Sequence, residues 1–261
     1  MLMTQRERGL FIVVDGLDAI GKGEIEHALI EYEQAEGRKV YNTIEHSIAK
    51  ERVPRPEECI IEEHPADTLV TAEPTWAGIG RVIREEMISS QGQSYSLAAR
   101  IGAYALDRLV QMKRLIIPFL NASIDHRIIQ SRCLASTLCY QVLEAKNEGR
   151  DIYSVRENIL NEEGNQLQLS NPPDLLIIPT IHSIKEIMNR IESRRTNKDD
   201  NCIFENYKFQ EALRPFYEDP WLRNLFEELG TKVEYIKAGV SIKDTKRQAV
   251  AIYKNFIKPR V

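Results

Sequence analysis

"FIVVDGLDAIGKGEIEH", residues 11 to 27, passes from a run of mostly β-branched apolar residues into a glycine turn and out again as an amphipathic segment. An unbroken apolar run of this length is what a strand buried on both faces carries. The turn behind it, Gly16-Leu17-Asp18-Ala19-Ile20-Gly21-Lys22, has the spacing G-x-x-x-x-G-K. Set between a strand and a helix, it turns several backbone N–H groups toward one point. The helix dipole adds positive potential there, and Lys22 adds a full charge. Phosphate is the ligand such a loop takes. Loops of this kind follow the lysine with a hydroxyl residue that binds a nucleotide's magnesium ion. Here Gly23 and Glu24 stand in the next two positions. A carboxylate at Glu24 is repelled by triphosphate unless a metal lies between them. The alternative is that Glu24 points outward from the first helical turn, where the dipole favours an acid.

The rest of the chain repeats the pattern of short apolar runs and amphipathic stretches. Strands are expected at Leu10 to Val14, Lys39 to Ile44, Thr68 to Ala72, Arg127 to Gln130, Asp174 to Ile178 and Lys232 to Ile236. Helices are expected at Ile25 to Glu36, Ile79 to Ile88, Leu97 to Asn121, Ser183 to Arg195, Tyr207 to Tyr217 and Ile242 to Ile257. Buried strands alternating with helices predict an α/β fold whose mostly parallel sheet is covered on both faces. Two stretches read as irregular: His46 to Asp67, rich in charge and proline, and the polar RRTNKDDNC at Arg194 to Cys202. The alternation resumes after each, so a single domain over residues 1 to 261 is expected. A net charge of −4 gives no basic footprint for nucleic acid. The four cysteines form no metal-ligand spacing and are expected as reduced thiols. No apolar run reaches the length of a membrane span, and a soluble, cytoplasmic protein is the expectation.

Three further stretches carry chemistry. "AEPTWAGIGRVIREEM" (72 to 87) places Glu73-Pro74 at the end of a strand and Arg84 on the helix behind it. "YALDR" (104 to 108) sets Tyr104 and Arg108 one helical turn apart on one face. "IIQSRCLASTLCYQ" (128 to 141) is a strand, then Arg132, small hydroxyl residues and Tyr140-Gln141. Each has a bland reading on its own: Tyr104 as core, Arg108 as half of a pair on its own helix, Ser136 and Thr137 as a helix cap. In open α/β sheets, however, the carboxyl ends of strands line the ligand crevice.

Taken in this order the motifs resemble thymidylate kinase, a family of P-loop nucleoside monophosphate kinases. Its pattern is a GxDGxGK loop, E-P followed by I-G-x-x-I-R, F-A-A-D-R, and D-R-Y-x-x-S-S-x-A-Y-Q. The chain supplies GLDAIGK, EP, IGRVIR, YALDR and SRCLASTLCYQ. The resemblance covers nearly the whole chain, with an insertion at about 46–67 and a short lid at about 194–204. It implies a three-layer sandwich around a sheet of about five strands and transfer of phosphate from ATP to a deoxynucleoside monophosphate, dTMP above all. It further implies Mg2+ as cofactor and a homodimer. In such a protein the loop from Gly16 through Leu17, Asp18, Ala19, Ile20, Gly21, Lys22 and Gly23 to Glu24 cradles the ATP phosphates, Lys22 meeting the transferring group. Asp18, Arg132, Arg194 and Arg195 join Lys22 as catalytic candidates, the last two on the lid. Glu73, Pro74, Arg84 and Arg132 surround the acceptor phosphate. Tyr104 stacks on the base, Arg108 and Gln141 meet its polar edge, Tyr140 lies near the sugar, and Ser136 belongs to the same substrate segment.

The departures from the pattern concern the metal. Besides Gly23 and Glu24, the acid of the D-R pair is Ser131, the second loop glycine is Ala19, and the arginine before E-P is Ala72. If the protein is active, Asp15, Asp18 or Glu73 is expected to hold magnesium through water, or Glu24 through a displaced shell. The other readings are a non-catalytic nucleotide-binding protein of the same fold and a kinase for another nucleotide acceptor.

Overall fold

The computed structural model describes residues 8–181, 185, 203–204, 206–238 and 241–258. In chain order these form β1 (Leu10–Val14), α1 (Lys22–Ala35), β2 (Val40–Asn42), α2 (Thr43–Lys50), β3 (Ile60–Ile61), β4 (His64–Pro65), β5 (Thr68–Ala72) and α3 (Gly78–Val82). Next come α4 (Leu97–Gln111), α5 (Ile117–Ala122), β6 (Arg127–Ser131), α6 (Leu134–Asn147), α7 (Ile152–Asn161) and α8 (Glu163–Ser170). The last elements are β7 (Leu175–Thr180), α9 (Tyr207–Tyr217), α10 (Pro220–Glu228), β8 (Lys232–Lys237) and α11 (Ile242–Ile257).

Six strands, matching the six expected from the apolar runs and one more than the resemblance implies, make the main sheet, in the order β2-β5-β6-β1-β7-β8, every pair parallel. The five-residue apolar run of β1 is explained by its two faces. Leu10, Ile12 and Val14 pack with Ile25 and Leu29 of α1 and with Ala249 and Tyr253 of α11. Phe11 and Val13 join the larger core on the other side, with Met112, Leu115, Phe119, Leu138 and Val142. Side chains alternate across a strand, so a strand between two helical layers must be apolar at every position.

After β1 the chain moves past β6 and β5 to the left edge, returns inward, and after β6 crosses β1 to build the right half. The reversal leaves a crevice at the carboxyl ends of β1 and β6, the position where such sheets bind ligands. The register fixes its floor: Val14 lies opposite Ser131 and Ile177, and Ser131 lies opposite Ala72.

The stretch at 46–67, expected as irregular, contains most of α2, a 3-10 turn at Pro56–Glu58 and the short β3–β4 hairpin. The α2 helix starts inside the expected strand, capped by the Asn42 side chain accepting from the Ile44 N–H at 3.0 Å. The helix expected at Ser183 to Arg195 and the lid, apart from Ile203 and Phe204, lie outside the described residues. Among the described residues no helix is long and apolar enough to cross a membrane. Cys59, Cys133 and Cys139 are buried free thiols, and Cys202 lies outside the described residues.

Candidate active site

The loop between β1 and α1 needs unusual backbone angles. Gly16 and Gly21 sit at φ 147° and 107°, and Ala19 takes φ 54° with a side chain present. Lys22 folds back over the loop, its Nζ donating to the carbonyls of Gly16 at 3.0 Å and Leu17 at 2.5 Å. Burial, and then the nearby Arg132 guanidinium, bring the Lys22 ammonium down to about 8, against the attraction of Asp18, Asp15 and Glu26. Glu24 turns away. Its carboxylate lies 3.1 Å from Lys246 Nζ on α11 and is 46% exposed, so the outward reading of this residue is the one the geometry adopts.

Arg132, at φ 65° after β6, reaches across to the loop. Its Nη2 donates to Asp18 and, at 3.3 Å, to the Tyr140 hydroxyl; its Nη1 donates to Ser136 Oγ at 2.9 Å and to the Gly16 carbonyl at 3.3 Å. Asp18 also accepts from Tyr140 at 2.8 Å and from Gln210 Nε2 at 3.0 Å, while its own N–H donates to Gln210 Oε1 at 3.0 Å. Burial pushes the Asp18 carboxyl up, but Arg132, Lys22 and these hydrogen bonds outweigh it and hold the group below the usual carboxylate range.

Behind the loop, buried Asp15 collects five donors. Its Oδ1 accepts from the Gly16 N–H at 2.7 Å, Ser136 Oγ at 2.6 Å and the Tyr217 hydroxyl at 2.9 Å. Its Oδ2 accepts from the N–H groups of Cys133 and Ser136, each at 3.0 Å. Asp15 thus satisfies the first turn of α6, whose N-cap is Cys133. The reading of Ser136 and Thr137 as that cap is corrected: Ser136 joins the Arg132–Asp15 network, and Thr137 accepts from Arg108 at 3.1 Å.

Arg108 does not pair on its own helix. It is 1% exposed and crosses to Glu73, donating from Nε at 3.0 Å and Nη2 at 2.6 Å, with Nη1 donating to Asn165 of α8. The other Glu73 oxygen takes Gln130 at 3.2 Å and Gln168 at 3.5 Å. Burial pushes the Glu73 carboxyl up against the pull of Arg108. Asp107, the neighbour of Arg108, holds the turn after Pro74 by accepting from Thr75 N–H and Oγ1 at 2.7 and 2.6 Å. Gly80 lets α3 pack on that turn; a Cβ there would lie 2.4 Å from the Thr75 carbonyl. Arg84 donates from Nε to the Pro74 carbonyl at 3.0 Å and lies 4.1 Å over the Trp76 ring.

These groups line one cavity of about 390 Å³. Asp18, Arg132 and Ser136 stand at the loop side; Glu73, Pro74, Arg84, Tyr104, Arg108, Tyr140 and Gln141 complete its walls. Gln141 is 1% exposed; its amide N–H side interacts with the Glu144 carboxyl one turn along α6, and its Oε1 has no hydrogen-bond partner among the described residues. A buried amide oxygen left unpaired costs on the order of 1–3 kcal/mol unless a ligand satisfies it.

Every substrate residue expected from the sequence therefore borders this cavity, and Arg194 and Arg195 lie outside the described residues. The three acids expected near magnesium, Asp15, Asp18 and Glu73, have their oxygens engaged by the partners named above. Four residues without motif support also belong to the site. Trp76 and Phe204 line the cavity, and Gln210 and Tyr217 reach the loop acids from α9. The amphipathic spacing of 207 to 217 gave α9 but not the turn of its polar side toward residues 192 and 202 positions earlier.

The thymidylate kinase family profile matches residues 57–248, well over half of the chain. The chain belongs to the thymidylate kinase family. A Pyrococcus horikoshii protein named "Probable thymidylate kinase" is 26% identical over 252 residues, covering 95% of this chain and 97% of that one. The thymidylate kinase of Desulfosudis oleivorans is 28% identical over 161 residues, covering 61% of this chain and 72% of its own. Among solved structures, a thymidylate kinase from Candida albicans superposes with a TM-score of 0.59 at 18% identity, over 95% of this chain and 92% of that one. This structural likeness is one of fold: the α/β P-loop kinase architecture of the family, built on a wholly parallel sheet.

Proposed function

We propose that this protein transfers the terminal phosphoryl group of ATP to dTMP, giving ADP and dTDP, and that it does so in the cytoplasm as a homodimer. Membership of the thymidylate kinase family supports the reaction. The observation that carries it is that one cavity is bounded by the loop acid Asp18 and Arg132 at one side and by the unpaired amide oxygen of Gln141 at another. Phosphoryl transfer needs positioning and charge neutralisation more than covalent help. The backbone of Gly16 to Glu24 supplies the anion cradle. Lys22 exchanges the loop carbonyls for phosphate oxygens, and Arg132 stands between donor and acceptor, with Arg194 and Arg195 as lid charges. Arg84, Glu73 and Pro74 frame the acceptor phosphate, Tyr104 offers its ring to the base, and Gln141 pairs with the base edge. The donations of Arg108 to Glu73, Asn165 and Thr137 make it part of the wall that holds this pocket in shape. Magnesium bound with the triphosphate would supply the neutralisation of developing negative charge. Apolar Leu106 and Val110, exposed on α4, are surfaces a second copy would cover.

An ADP-release assay across the nucleoside monophosphates tests the reading. dTMP should give the highest kcat/KM. Preference for dGMP would discard the base-pocket assignment, and tight binding of both nucleotides without ADP release would make the protein a non-catalytic binder. Gln141→Leu should weaken dTMP binding by about 5- to 150-fold, the equivalent of 1–3 kcal/mol for a lost buried hydrogen-bonding group, and leave ATP binding unchanged. Calorimetric titration with each nucleotide separates the two.

The Lys22 ammonium gives a pH signature. Its charged form binds phosphate, and it titrates at about 8 in the free protein. Charge is therefore complete well below pH 8 and is lost as pH rises through it. The kcat/KM for ATP should be flat on the acid side and fall about tenfold per pH unit above 8. Lys22→Arg, whose guanidinium stays charged, should remove that limb even where its maximal rate is lower.

A further inference from the structure

The sequence has lost the acid that the family pattern places before Arg132: Ser131 stands there, at the carboxyl end of β6. A carboxylate approaches the same spot from the opposite side. Glu26 is four residues after Lys22, one turn farther along α1 on the same helical face. The Ser131 hydroxyl interacts with its carboxyl, and Lys22, Arg132 and Asp15 are the other charged groups that bear on it.

Glu26 differs from the other acids of the site in one respect. Asp15, Asp18 and Glu73 spend both carboxylate oxygens on protein donors, as described above. The Oε1 of Glu26 is buried and has no hydrogen-bond partner among the described residues. A buried carboxylate oxygen without a donor is expensive to keep in a protein that has nothing to put against it. It lies at the root of a loop that presents N–H groups and Lys22 to phosphate. A cation carried by that phosphate, with its water shell, supplies the missing donors.

The donor set suits magnesium. Among the described residues no three His, Cys, Asp or Glu side chains are arranged to hold a metal by themselves. Magnesium bound with a nucleotide does not require such a cage; it keeps several waters and uses one or two carboxylates beside the phosphates. A single carboxylate and a neighbouring hydroxyl are that kind of partner.

We propose that Glu26, with the Ser131 hydroxyl beside it, is the carboxylate that faces the magnesium ion of the bound nucleotide, supplying from α1 the charge that β6 no longer carries. The assignment rests on the reading of the loop as a nucleotide site. The missing hydroxyl after Lys22, the missing acid before Arg132 and the unpaired oxygen on α1 then have one explanation.

The experiment is ADP binding by calorimetry, with excess EDTA and with saturating Mg2+, and Mn2+ binding to the protein–ADP complex by electron paramagnetic resonance. Neither readout depends on turnover. The parent should bind ADP more tightly with the metal than without it. Glu26→Gln keeps the shape and removes the charge; it should lower Mn2+ affinity in the ADP complex by about 10- to 100-fold, the usual cost of losing a carboxylate that orients a metal shell. Its affinity for ADP in EDTA should stay within about twofold of the parent, which also reports an intact loop. Ser131→Asp in the Glu26→Gln background should restore most of the metal preference by returning the acid to β6. A Glu26→Gln protein with the parent's Mn2+ affinity overturns the assignment, as does a double variant that keeps the loss. A parent that binds no ADP under either condition overturns the nucleotide-site reading and this assignment with it, a result distinct from both.

Discussion

Arg132→Ala should reduce turnover by about three orders of magnitude or more, the range associated with an arginine that neutralises the transferring phosphoryl group. The residue is placed for that effect by its backbone. Held at φ 65° just past β6, it extends over the loop to Asp18 and shares the cavity with the residues assigned to the acceptor. The substitution also leaves Asp18 without its main counter-charge, so its carboxyl should rise from its lowered value. Arg132→Lys returns the charge without the planar fork that serves Asp18, Tyr140 and Ser136 together. It should recover only part of the rate. Single-turnover measurements with ATP and dTMP titrated separately check this. Parent-like kcat in Arg132→Ala would remove the residue from the transfer step.

The second large effect is on stability. Arg108→Leu strands the carboxylate of Glu73, itself 4% exposed, without its guanidinium partner. Breaking a buried pair from one side costs about 3–5 kcal/mol, a large share of the roughly 5–15 kcal/mol that holds a domain together. The pH dependence has a definite sign. Burial pushes the Glu73 carboxyl above its unfolded value even with Arg108 present, so without Arg108 the folded state holds the proton more tightly than the unfolded chain. Stability then falls as pH rises, and the penalty of Arg108→Leu should be smaller at pH 5 than at pH 8. Replacing both residues, Arg108→Leu with Glu73→Leu, should recover much of the loss because no unpaired charge remains. Urea unfolding of the three variants at the two pH values gives the comparison. A double variant as unstable as the single one would show that Asn165 and Thr137, rather than Glu73, are the partners that matter.

How far these features could be read in the chain depends on whether their signal is local. β1 and the loop were legible because five apolar residues followed by glycines at fixed spacing leave few alternatives. The helices at 207 to 217 and 242 to 257 were legible from periodicity, and their observed limits agree. The α2 helix was not: eight residues long, carrying an exposed Ile48 and followed by Pro54 and Pro56, it lacks the length over which an apolar stripe declares itself. The cavity-lining residues came from motifs, but their partners did not. That Arg108 would leave its own helix for Glu73, or that Gln210 and Tyr217 would reach Asp18 and Asp15, depends on packing between distant elements. Glu26 sits in an ordinary amphipathic stretch, where an acid reads as a solvated side chain until the position of β6 against α1 is known.

The strand order bears on how the protein is made. Leu10 pairs with Arg127 on one side of β1, and Ile12 with Leu175 on the other. The earliest strand of the described residues is therefore at the centre of the sheet, and it waits through more than a hundred residues of synthesis for its first neighbour and through β7 for its second. At about 5–20 residues per second that delay is several seconds, long against the microsecond or less, roughly, in which a local helix relaxes. During it the apolar stretch Phe11 to Val14 has neither flank covered. A nascent chain stalled before β7 is one with its central strand half open, the kind of exposed edge that other chains pair with.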